Sequence, residues 1–196
     1  MFLDSVGIIL RKSSSSNNKI VILDKIQGKI ECITNTPSFS TGSLITYNIG
    51  QQRSIPFIND STLIYMPLSL AQIDILFFHH VLELIYYFSP MGSCAKEVFD
   101  LLAFLYATSL NTITNQFKKL FLLKLLTSMG SIPEHNETRT PSITQLNSMN
   151  IRQLHAITIN ATHEKELDRW LWYCVWQHPY VNEFKTVHFL SRNRTL

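Results

Sequence analysis

Hydrophobic positions alternate with polar ones over the first third of the chain and follow a helical period over the rest. Val6, Ile8 and Leu10 share one face of a first strand that ends in Arg11 and Lys12. The run SSSSNN (13–18) continues neither periodicity and predicts a turn. KIVILD (19–24) is an unbroken β-branched run, as expected of a strand covered on both faces. Gly28 turns the chain into KIECIT (29–34). After the polar loop NTPSFSTG come SLITYNI, RSIPFI and STLIYM, with breaks near Gly50–Gln52 and Asn59–Asp60. Pro56 cannot donate to a ladder and belongs at an edge or a bulge. Five or six short strands in this space predict a small barrel or sandwich.

From Leu68 the period changes. Residues 70–88 predict a helix that is apolar nearly all round and therefore buried. Pro90-Met-Gly-Ser interrupts it, and Ser93 is placed to cap a second helix beginning near Ala95, with Val98, Leu101, Leu102 and Leu105 on one side. A third helix is expected over 112–129, carrying Ile113, Phe117, Leu120, Phe121 and Lys124, stopped by Gly130 with Pro133 beyond. Residues 134–147 read as loop. Two more helices are expected near 149–158 and 163–177, the latter capped by Thr162 and ended by Pro179. Trp172 and Trp176 share a face and are expected to dock this helix. The predicted class is α+β: a small β-barrel over residues 1–70 packed on an all-α unit over 71–196.

Composition narrows the picture. An apolar fraction of 45% suffices for a core, and the net charge is only +3. A polyanion site must then be a local cluster and not a whole-molecule field. Cys32, Cys94 and Cys174 form no CxxC pair, as fits a reducing compartment. The start MFLDSVGIIL lacks a basic n-region, and the apolar segment at 70–88 is interrupted by Asp74, His79, His80 and Glu83. A soluble, cytoplasmic protein with no membrane partner is expected.

The candidate chemistry is basic, not catalytic. Arg11, Lys12, Lys19, Lys25, Lys29 and Arg53 lie at strand ends and loops, where long cations can track phosphates. Six cations against five acids over residues 1–74 equally suit ordinary solubilising charge. Phe39, Tyr47, Phe57 and Tyr65 are the aromatic platforms on offer, and Phe39 in its polar loop is the best placed for base stacking. Lys118, Lys119 and Lys124 beside Phe121 set cations next to an apolar strip, which suggests a groove for an acidic peptide with an apolar end. His79 and His80 point about 100° apart on a helix and do not chelate together. P-loop, GxSxG, HExxH and paired Cys/His spacings are all missing, so neither catalysis nor a cofactor is expected.

The order of segments and three motifs resemble the RecO family of bacterial recombination mediators. The first is GIILRK, a polar loop, KIVILD and then QGK; the second is LFLLKLLTSMGSIPE (120–134); the third is FKTVHFLSR (184–192). The resemblance implies an N-terminal OB-fold followed by a helical domain. It also implies binding of single- and double-stranded DNA, strand annealing, and partnership with RecR and with the C-terminal tail of single-strand-binding protein. Two departures stand out. Many relatives carry a four-cysteine zinc module where this chain reads HNETRTPSITQLN, so no structural zinc is expected. The loop NTPSFSTG carries no cation where relatives tend to be basic.

Overall fold

Among the described residues, alternation at the start of the chain becomes five strands: β1 (Ser5–Lys12), β2 (Lys19–Asp24), β3 (Gly28–Thr34), β4 (Leu44–Gly50) and β5 (Phe57–Tyr65). The computed structural model describes residues 5–13, 18–35, 39–50, 56–108, 113–131, 150–153 and 157–186. The strands close into a barrel in the order β1-β2-β3-β5-β4. Neighbours are antiparallel except β3 and β5, which run parallel through Ile33–Phe57 and Thr34–Ile58. Ile9, Ile20, Ile22, Ile30, Cys32, Ile45, Tyr47 and Ile58 fill the interior.

The break expected at Asn59–Asp60 is instead a bulge within one strand. Asp60 pairs with Asn48 and Ile58 with Ile49, so Asn59 is the extra residue. Pro56 lies just ahead of this strand and accepts from the Ile33 amide. The β2–β3 turn is built by buried Asp24. One oxygen of its carboxylate accepts from the amides of Ile26 and Gln27, and the other from the Tyr47 hydroxyl at 2.6 Å. Gly28, at φ +74°, ends that turn where a Cβ would lie 1.7 Å from the Ser93 carbonyl oxygen. No side chain fits there.

Among the described residues four α-helices follow: α1 (Leu68–Phe88), α2 (Lys96–Ala107), α3 (Asn115–Ser128) and α4 (Ala161–Trp176). By length and composition α1 is sufficient to cross a bilayer, yet Phe77, Phe78, Val81, Leu82, Leu84 and Ile85 are buried in the core. It is broken at Asp74, whose φ and ψ of −148° and 81° are not helical. The cause is a cap inside the element: the Asp74 carboxylate accepts from the Phe77 amide at 2.9 Å and starts a new helix there. Outer-face residues Ile8, Leu10 and Leu23 join the same core as α1–α4. β1 and β2 are thus covered on both faces, as KIVILD foretold for β2.

Several predicted caps shift. Ser93 does not cap α2, which begins at Lys96 without a side-chain cap bond. Thr114 caps α3 and Asn160, not Thr162, caps α4. The helix expected near 149–158 is only a 3-10 turn at Ile151–Gln153 among the described residues. The loop reading of 134–147 falls outside them. Gly130 does end α3: its amide bonds the Thr127 carbonyl and the Ser131 amide bonds that of Leu126, the paired pattern of a left-handed stop. The tryptophans divide differently from the expectation. Trp170 docks α4 with Leu167 and Leu171, while Trp172 and Trp176 stack 5.1 Å apart at the surface side.

Candidate nucleic-acid interface

A bulge in β1 creates the site. Ile9 pairs with Ile22 and faces the barrel interior, but the register slips before Arg11, which pairs with Val21. Leu10 is the extra residue. Leu10 stays on the face of Ile8, in the helical core, and the slip sends Arg11 to that same outer side, where alternation alone would have pointed it inward. Val21 in turn pairs with Glu31, so Arg11, Val21 and Glu31 form one outward row across three strands.

That row floors one end of a cleft of about 950 Å³ between the barrel and α1. Four cations line it, namely Arg11, Lys12, Lys19 and Lys185, facing the carboxylates of Glu31, Glu83 and Glu183. The Arg11 guanidinium lies 4.9 Å from the centre of the Tyr86 ring, close enough for a cation–π contact. Lys19 forms an ion pair with Glu31 at 3.0 Å, both half exposed. The cleft as a whole is thus basic by a narrow margin, with the excess of cations on its barrel side.

The helical wall is tied to the chain's last described residues. Glu83 accepts from the amides of Lys185 and Thr186, and from the Thr186 hydroxyl. Because that hydroxyl donates to Glu83, it is left to accept from His80 Nδ1 at 2.8 Å, which fixes the proton on Nδ1. His80 is fully buried, and desolvation holds its pKa down to about 3, so the ring is neutral. Tyr87 packs its ring 4.5 Å from Phe184 and brings its hydroxyl to Glu183.

Of the residues expected to contact DNA, Arg11, Lys12 and Lys19 come together in this cleft. Lys25 is exposed in the β2–β3 turn, outside it. Lys29 is buried and donates to the Tyr86 carbonyl, so it is removed from the surface set. Burial lowers its pKa. Phe39 is half buried against the barrel core and is no free platform for a base. Arg53 lies outside the described residues.

The four residues expected to bind a peptide do not make a surface groove. α3 carries apolar residues on nearly every side and runs through the helical core. Phe121 is fully buried. Lys119 is buried between Glu164 and Asp168 at 2.7 and 2.8 Å, and Lys118 pairs with Asp74 at 2.6 Å. Lys124 is half buried, which lowers its pKa. Partners for these lysines come from α1 and α4, which local spacing did not reveal.

Sequence reasoning overlooked Tyr86, Tyr87, Lys185 and the acids that offset them. The Tyr-Tyr pair at the end of an apolar helix was the available signal, but its facing strand is 70 or more residues away. Burial pushes the Cys32 and Cys174 thiols up to about 12. Among the described residues no cluster of three His, Cys, Asp or Glu side chains is arranged to hold a metal. Compared with known proteins, the chain matches no family model and no curated protein.

Proposed function

We propose that this protein is a non-catalytic DNA-binding mediator of RecO type, whose barrel is an OB-fold and whose cleft receives a single strand. The observation that carries the reading is the convergence of Arg11, Lys12 and Lys19 on one cleft, at the end of β1 and the start of β2, beside the Tyr86 ring. Strand order β1-β2-β3-β5-β4 with a parallel β3–β5 pair supports the OB assignment, and the β2–β3 face is where such barrels bind oligonucleotides. Long cations neutralise phosphates and leave bases free to pair, which is what annealing of complementary strands requires. Double-stranded DNA would engage the same cations from outside the cleft. RecR and the tail of single-strand-binding protein are the proposed protein partners, and the bacterial cytosol the proposed location.

Fluorescence anisotropy with a labelled single-stranded oligonucleotide tests the reading. Binding at low salt is expected, falling steeply at physiological salt, and Arg11→Glu with Lys12→Glu should weaken it about tenfold or more. No binding at low salt overturns it.

The near balance of charge in the cleft favours a second reading, a protein-binding adaptor of the same fold with little DNA affinity. Capture of RecR or single-strand-binding protein that survives the Arg11→Glu, Lys12→Glu pair, without DNA binding by the parent protein, supports that alternative.

A further inference from the structure

Three carboxylates line the cleft, and two of them are already engaged. Glu31 pairs with Lys19. Glu83 commits one oxygen to the Lys185 amide and the other to the amide and hydroxyl of Thr186. Glu183 differs. It is exposed in the 3-10 turn over Val181–Glu183, and among the described residues its carboxylate takes only a long bond, 3.4 Å, from the Tyr87 hydroxyl. A carboxylate has room for about four such bonds, so most of its acceptor capacity is open to a ligand. The backbone that carries it is fixed. Phe184 is buried with its ring 4.5 Å from that of Tyr87, and the next two amides are held by Glu83. The turn is therefore in place before any ligand arrives.

Charge divides between the walls. The barrel contributes Arg11, Lys12 and Lys19 against Glu31, while α1 and the end of the chain contribute Glu83 and Glu183 against Lys185. Tyr87 lies between the two poles. Burial raises the pKa of its hydroxyl, Arg11 opposes that rise and Glu183 adds to it, so both charges act on one phenol.

We propose that Glu183 selects the base of a bound single strand, accepting from the exocyclic amino group of cytosine while Arg11 and Lys12 hold the phosphates. The inference rests on the single-strand reading of the cleft and assigns each side of the nucleotide to a wall. A strand whose phosphates lie on the cationic wall turns its bases toward the acidic one. An ionised carboxylate accepts and cannot donate. Cytosine presents the N4 amino group to it, whereas thymine presents the O4 acceptor beside a methyl group. Two acceptors set against each other repel, and both are left without a partner. One carboxylate reads one base, so the neighbouring bases stay free to pair.

Anisotropy titrations with oligo(dC) and oligo(dT) of equal length test the proposal, at low salt and slightly alkaline pH, where cytosine N3 carries no proton. The two strands bring the same phosphates, so the salt-dependent contribution cancels in their ratio. The parent protein should bind oligo(dC) about fivefold more tightly. Glu183→Gln should lose this preference, because an amide can both donate to O4 and accept from N4. Its circular dichroism and melting should match those of the parent, since the position is exposed. Glu97→Gln, at an exposed acid of α2 outside the cleft, should keep the preference. Equal binding of the two strands by the parent, or tighter binding of oligo(dT), overturns the proposal and leaves the single-strand reading standing. A preference that survives Glu183→Gln does the same. A parent that binds neither strand overturns both.

Discussion

Lys29 of β3 donates a 2.5 Å hydrogen bond to the carbonyl oxygen of Tyr86, in the last turn of α1. The carbonyls of a helix's last turn have no partner within the helix, and their dipoles favour a cation. A barrel lysine therefore caps a helix of the other half and holds the wall of the cleft, with its ammonium 5.4 Å from the same Tyr86 ring that Arg11 covers.

Lys29→Ala should cost about 1–2 kcal/mol through the lost bond and stem packing, and Lys29→Met less, since the stem is kept. The pH dependence is the sharper readout. Burial lowers the folded pKa below the ordinary 10.5, so the unfolded chain holds more protons in between. Stability should rise as pH climbs toward 10.5, and this rise should vanish in Lys29→Met. Urea unfolding across alkaline pH checks both.

His80 predicts the opposite limb. Its folded pKa of about 3 lies below the ordinary 6.5, so its contribution is complete above 6.5 and is lost as pH falls toward 3. Within that window the slope approaches about 1.4 kcal/mol per pH unit. His80→Phe should flatten this part of the curve, measured by urea midpoints at a series of acidic pH values.

Lys119 should behave as a structural ion, not as a docking residue. Lys119→Ala leaves Glu164 and Asp168 facing each other without a cation and should cost about 3 kcal/mol. Its folded pKa is raised, through bonds to Asp168 and Glu164 that outweigh burial. That stabilisation is present below 10.5 and is lost as pH rises through the folded value. Thermal melting of the variant should fall well before any change in peptide capture appears.

In DNA binding, the cleft cations should separate from the capping one. Arg11→Gln, Lys12→Gln and Lys19→Gln should each lower the slope of log affinity against log salt by about one. Lys29→Met should leave the slope unchanged, because its ammonium never meets a phosphate. Anisotropy titrations at several salt concentrations distinguish the two classes.

The sequence by itself determined the kind of most elements. Strict alternation through Val6, Ile8 and Leu10, the β-branched run at 19–24 and the all-round apolar stretch at 70–88 are local patterns, and each became the predicted kind of element. The stop at Gly130 was equally local, since only a residue free to adopt φ +71° closes that turn without strain. Arg11, Lys12 and Lys19 were legible as cations at strand ends, which is as far as spacing goes.

What tertiary structure decided was the environment of each side chain. A slip of one residue at Leu10 chose the face on which Arg11 stands, and no periodicity encodes a bulge. The pairing of Lys118 with Asp74, 44 positions away, and of Lys119 with Glu164 and Asp168 turned apparent docking lysines into internal ones. Lys29 and Lys25 look alike in the sequence. They differ only because α1 ends over one of them, and an ammonium removed from water must find an oxygen acceptor that the chain supplies 57 residues later.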